Sequence, residues 1–269
     1  MSAQELQRVV VRMLFDPTYV KQIYLDSEEA LRGADVTSEE AAWLSRGDER
    51  RWRADPLRAA RSLQALLEEF PVSALAVNTS VELPSLISFF SSTRFHRAIM
   101  DESSLALSFA AWLAHEYPES EPFCRLEGAI ASLRRPEFDT PSDGGEPHTY
   151  RAAPGVRALT LPSGVLSAYS QAMRELGAHP QGVVQALVSD PPALSGVHER
   201  DKESLLLERG AEIGISEISE ELALVLIYLS HGRSESETKA ALIRFGSEPG
   251  EVSDVLTSLL DEGLIIRLG

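Results

Sequence analysis

The chain has 269 residues, 43% of them hydrophobic and 25% charged, and its 25 Lys and Arg against 41 Asp and Glu give a formal net charge of −16. This is an ordinary globular composition with room for two cores, and its charge repels phosphate backbones and anionic membranes, which argues against nucleic acid as a partner. One cysteine, Cys124, excludes an intramolecular disulfide framework and a Cys-rich zinc site, so the chain reads as cytoplasmic; Glu5, Arg8 and Arg12 interrupt the N-terminal stretch and no apolar run reaches about 18 residues, so no signal peptide, membrane span or membrane partner is expected.

From residue 3 to residue 135 apolar residues recur at three- and four-residue spacing, so this half reads as helical throughout. "LQRVVVRMLFDP" makes a first helix that Pro17 closes. "VTSEEAAWLSRG" places Thr37 or Ser38 as a cap, Glu39 and Glu40 in the positive first turn, and Gly47 at the end. "DPLRAARSLQALLEEFP" is bracketed by Asp55-Pro56 and Pro71 and sets Leu57, Ala60, Leu63, Leu66 and Leu67 on one face. "LPSLISFFSSTRFHRAI", "SSLALSFAAWLAHEYP" and "FCRLEGAIASLRR" complete a domain of about six or seven helices over residues 1–136. Phe70, Phe89, Phe90, Phe95, Phe109 and Trp112 stand at helical spacing and are assigned to its core.

Residues 137–150 are rich in Pro, Gly, Asp and Ser and read as a linker. The second domain, residues 151–269, opens with "GVRALTLPSG", whose alternation predicts a strand over 156–162. Helical segments follow at 164–176 and 180–189. Leu205 to Leu207 and Ile213 to Ile215 are short apolar runs about a Gly-containing turn, the pattern of a hairpin. Helices capped by Ser219 and Ser234 come next, then "EPGEVSDVLTSLLDEG" and a closing strand, "LIIRL". The expected fold is mainly α: an N-terminal all-α helical domain followed by a small α+β winged-helix domain.

No active site is legible. The six histidines, at 96, 115, 148, 179, 198 and 231, lack the i, i+3 or i, i+4 partner of a helix-borne metal pair, and the prolines in "HEYPESEPFC" keep His115, Glu116, Glu119 and Cys124 off one helical face. Neither GxGxxG nor GxxxxGK[ST] occurs, Ser163 lacks the setting of a nucleophile elbow, and the paired glutamates sit at helix ends. No catalytic residue, metal ligand or cofactor is therefore assigned, and the chain is expected not to be an enzyme. An enzyme with scattered catalytic residues is the bland rival.

The third helix of the winged domain decides between grips. Residues 248–262 carry Glu248, Glu251, Asp254, Asp261 and Glu262 and no Lys or Arg, so a DNA groove would expel it. Its apolar Val252, Val255, Leu256, Leu259 and Leu260 exceed what one core face needs. The expectation is a peptide groove in which Val252, Val255, Leu256 and Leu259 face the hairpin strand 211–216. Glu212, Ile213, Gly214 and Ile215 on that strand would offer an edge to an added peptide strand. The alternative is that residues 163–189 cover the edge. The other rival is a winged-helix transcription regulator with a helical effector domain, which would need a basic helix.

The run "LLLERGAEIGISEISEELALVLIYLSHGRSESETKAALIRFGSEPGEVSDVLTSLLDEGLI" resembles the PqqD-like recognition element of ribosomal-peptide biosynthesis. "LEEFPVSALAV", "SFFSSTRFHRAI", "SLALSFAAWL" and "CRLEGAIASLRR" resemble the helical domain of the partner proteins of multinuclear non-heme iron-dependent oxidative enzymes. The two resemblances stand along the chain in the order such partners show. They imply a non-catalytic accessory protein that pairs, as a heterodimer, with an iron-dependent TIM-barrel oxidase. It would hold the leader of a precursor peptide so that the core, often a cysteine, reaches iron carried by the partner enzyme. The linker and residues 163–200 match nothing specific in that family.

Overall fold

The computed structural model describes residues 3–53, 55, 57–78, 81–101, 103–135 and 149–268. The chain is mainly α-helical, with a smaller region of antiparallel strands. Most of the expected linker, and Pro56 of the expected helix start, lie outside the described residues.

The first stretch runs α1 (Ala3–Phe15), α2 (Pro17–Leu25), α3 (Ser27–Ala30), α4 (Ser38–Ser45), α5 (Arg58–Glu69), α6 (Pro71–Val77), α7 (Thr93–Met100) and α8 (Leu105–Glu116). Tighter 3-10 turns lie at Glu49–Arg53, Leu83–Ser91 and Pro118–Ser120. Pro17 closes one helix and opens the next: its fixed φ suits a first helical position, and the Asp16 carboxylate caps α2 by accepting from the N–H groups of Thr18 and Tyr19. Thr37 caps α4 and forms a reciprocal box with Glu40. The segment expected as a single helix over 83–99 divides at Ser92, whose hydroxyl accepts from Phe95 N–H and starts α7. A cap in mid-segment outweighs continuous periodicity.

Phe89 sits at the centre of the aromatic core, its ring 5.2 Å from Phe109, 5.4 Å from Phe90, 5.5 Å from Trp112 and 5.6 Å from Phe95 between centroids. All six aromatics assigned to the core from spacing are buried. On α5, Leu63, Leu66 and Leu67 are buried, whereas Leu57 and Ala60 are exposed. Leu57 precedes the first helical residue, so helical spacing does not govern where its side chain goes. A second cluster, Val9, Met13, Tyr19, Val20, Ile23, Leu31 and Leu44, joins α1, α2 and α4.

The chain continues with α9 (Glu121–Arg134), β1 (Thr149–Ala152), β2 (Val156–Ser163), α10 (Val165–Gly177), α11 (Val183–Ser189), β3 (His198–Arg209) and β4 (Ile213–Glu217). After these come α12 (Glu220–Tyr228), β5 (Arg233–Ser234), α13 (Glu235–Arg244), α14 (Val252–Asp261) and β6 (Ile265–Leu268). Two antiparallel sheets form, in the orders β5-β1-β6 and β2-β3-β4. Ser219 and Ser234 cap α12 and α13, as their positions before apolar runs predict. Residues 149 and 150, expected in the linker, are the start of β1 and pair with β5 and β6. Their apolar content is too small to mark a strand, and the pairing comes from distant sequence.

Two compact units result: Met1–Glu121 with Leu176–Pro192, and Pro122–Glu175 with Ala193–Gly269. The division does not follow the Pro- and Gly-rich segment, because nearly all of α9 groups with the strand-bearing unit and α11 groups with the helical one. Asn78 Nδ2 donates to Leu187 O at 2.8 Å, one of the bonds that hold α11 in the helical unit.

Candidate functional site

In the β2-β3-β4 sheet, β4 is an edge, and among the described residues no strand pairs with its outer side. Register fixes which of its backbone groups are open. Gly214 stands opposite Glu208 and Ser216 opposite Leu206, and Ile218 N–H donates to Ser204 O at 2.9 Å. Because backbone groups alternate sides along a strand, Gly214, Ser216 and Ile218 turn theirs to β3. Those of Ile213, Ile215 and Glu217 therefore point away from β3.

Side chains alternate between the two faces in the same way. Val156, Ala158, Leu206 and Ile218 belong to one face and join the cluster built with Leu226, Leu229, Leu242, Val252, Leu256, Leu259 and Ile265. Ile213 and Ile215 are on the opposite face, where Ile215 stands across from Leu207. There they line a cavity of about 700 Å³ with Ile130, Leu133 and Arg134 of α9, Tyr169 of α10, and Arg209 to Glu212 of the turn.

Helices α9 and α10 are tied to the sheet by specific bonds. Arg125 Nη2 donates to Thr160 O at 2.9 Å, joining α9 to β2. The Glu203 carboxylate on β3 accepts from Gly164 N–H at 2.8 Å and Leu166 N–H at 2.7 Å, capping the start of α10. Gly164 has φ +88, and a Cβ there would stand 2.0 Å from Gly196 O, so only glycine fits. Burial, with the Glu127 carboxylate acting in the same direction and Arg134 against it, pushes the Tyr169 hydroxyl up to about 12. Tyr169 is thus a neutral donor and acceptor at the cavity wall. Arg134 and Arg209 give the cavity two exposed cations, with Glu212 the acid near them.

The site expected from sequence is divided by this geometry. Glu212, Ile213, Gly214 and Ile215 lie at the hairpin edge, and all but Gly214 line the cavity. Val252, Leu256 and Leu259 are buried core residues at 4, 6 and 5% exposure, with half-buried Val255 packed against them. They serve the opposite face of the sheet from Ile213 and Ile215, so α14 does not supply the wall of this cavity. The surplus of apolar residues on α14 is used by the strands and helices around it. The wall comes instead from α9 and α10, and α10 lies within the 163–189 stretch that was the alternative cover for the edge. The i, i+3, i+4 spacing of Ile130, Leu133 and Arg134 shows a shared face in the sequence. Assignment of that helix to the first domain hid its neighbours.

Among the described residues, no group of three or more His, Cys, Asp or Glu is gathered in a way that could hold a metal ion. Cys124 is buried within α9. Among those residues, too, no helix is long and apolar enough to cross a membrane. Comparison of the sequence with protein-family models and with curated proteins finds no match.

Proposed function

We propose that this chain is a non-catalytic peptide-holding subunit that accepts an extended segment as a fourth strand on β4. The observation that carries the reading is the open edge: Ile213, Ile215 and Glu217 direct N–H and C=O groups outward beside a cavity whose lining is partly apolar, from Ile130, Leu133, Ile213 and Ile215, and partly polar, from Arg134, Tyr169, Arg209 and Glu212. Main-chain bonds to these residues supply register. Apolar side chains at alternate positions of the peptide enter between Ile213, Ile215, Ile130 and Leu133. Arg134 and Arg209 favour an acidic side chain beside them.

The winged-helix, PqqD-like reading of the second half and the resemblance of the first half to partners of iron-dependent oxidases give this edge its context. The peptide is then the leader of a ribosomally made precursor. The chain forms a heterodimer with an iron-bearing TIM-barrel oxidase, which performs the chemistry on the core. The rival reading as a transcription regulator has less support, because the described residues of α14 include no cation.

The test is direct. A fluorescent peptide made from the leader of a precursor encoded beside this chain should bind saturably in a polarisation assay. Co-expression should recover the neighbouring oxidase with the chain. Absence of saturable binding by folded protein would overturn the peptide reading, and failure to co-purify would overturn the heterodimer.

A further inference from the structure

The helical unit contains a separate cavity of about 210 Å³ between α1, α2, the turn after α3, and α7. Three guanidinium groups, from Arg8, Arg12 and Arg32, line it together with Tyr19, His96 and Met100. In a chain with a net charge of −16, three arginines are gathered around one small cavity. We propose that this cavity binds the phosphate group of a small phosphorylated molecule.

Two of the three guanidinium groups are paired with carboxylates. Arg8 is paired with Glu5, and Arg32 with Glu29. The second pair is exposed, so its net worth is small and the guanidinium can turn to another oxyanion at little cost. Asp16, one helical turn after Arg12 in the sequence, is committed elsewhere: its Oδ1 accepts from Thr18 and Tyr19 N–H, and its Oδ2 lies 3.4 Å from His96 Nε2. Arg12 instead lies over the Tyr19 ring, 3.7 Å from its centroid. Its Nε is buried and has no hydrogen-bond acceptor among the described residues.

A buried guanidinium N–H without an acceptor is costly, and the Tyr19 hydroxyl, which engages the Arg12 guanidinium, leaves Nε unsatisfied. The stacking does something else, holding the fork in one orientation. A planar fork held in advance is the arrangement that recognises phosphate oxygens bidentately. The cavity exceeds what an inorganic phosphate fills, and Ile99 and Met100 give its remaining wall apolar surface, suited to a small organic body. The site shares no residue with the β4 edge, so it stands or falls independently of the peptide reading.

Calorimetry of the full chain against inorganic phosphate and against glycerol 2-phosphate, at ionic strength matched with sodium chloride, tests the proposal. Both probes should give saturable heats and raise the melting temperature. Arg12→Gln should weaken binding about tenfold or more, equivalent to one charge-assisted bond, and Arg12→Lys should fall between. Arg32→Gln, at an exposed position that does not endanger folding, should weaken binding several-fold. Arg244→Gln, far from this cavity in sequence and in the other unit, should leave it unchanged. No saturable signal in the parent, or equal affinity in the parent, Arg12→Gln and Arg32→Gln, would overturn the assignment.

Discussion

Ile215 stands directly across from Leu207 in the β3-β4 pair, yet its own N–H and C=O turn away from β3. This makes Ile215 a position where a proline removes an outward N–H without removing a bond of the existing ladder. Its neighbour Ser216, opposite Leu206, turns its backbone to β3.

Ile215→Pro should therefore keep a cooperative unfolding transition and a parent-like circular dichroism spectrum while weakening leader binding about tenfold or more, the loss expected of a blocked strand bond plus displaced side-chain contacts. Ser216→Pro should break the ladder and lower stability. If Ile215→Pro is folded and binds the leader as tightly as the parent, strand addition at this edge is wrong.

Leu256, buried against the second unit's core, should behave as a stability residue. Leu256→Ala is expected to cost about 2–5 kcal/mol in urea denaturation, and Leu256→Glu should abolish the cooperative transition. A folded Leu256→Glu variant with a selective loss of peptide binding would instead place this residue in the groove.

Gly164 joins β2 to α10 with φ +88, and its backbone lies against Gly196 O. Gly164→Ala should destabilise the chain by about 2 kcal/mol or more, because both the conformation and the contact exclude a Cβ. Glu203→Ala, which leaves the Gly164 and Leu166 N–H groups without their acceptor, should cost about 1–2 kcal/mol. Thermal melts distinguish these from a neutral outcome.

Asp16 supplies the pH dependence. Burial alone would raise its carboxyl, but the His96 contact and the Tyr19 and Thr18 N–H groups together hold it below the usual carboxylate range. A carboxyl lowered in the folded state adds stability above its unfolded pKa, about 3.9, and that stability is lost as pH falls through the lower folded value. Asp16→Asn keeps a cap for α2 but removes the charge, so it should be less stable than the parent at neutral pH. The difference should shrink as pH drops below about 4. A constant difference from neutral to acid pH would remove Asp16 from the acid limb.

Local chemistry was sufficient for much of this protein. Caps at Thr37, Ser219 and Ser234, the strand at 156–162, the hairpin at 205–215 and the buried aromatic set all follow from residues within a few positions of one another. The absence of cations in 248–262 was equally plain. Pairings of Thr149 with Ser234 and Leu268 needed partners more than 80 residues away, and no local pattern announces them. The candidate site divided along the same line. Apolar character at Ile213, Ile215, Val252, Leu256 and Leu259 was visible in the sequence, but it does not say which face of a sheet a helix covers. Register decided that, since alternation sends Leu206 and Leu207 to opposite faces and thereby separates α14 from the cavity that α9 and α10 complete. Composition determined which residues would avoid water, and only the tertiary pairing decided what each would meet there.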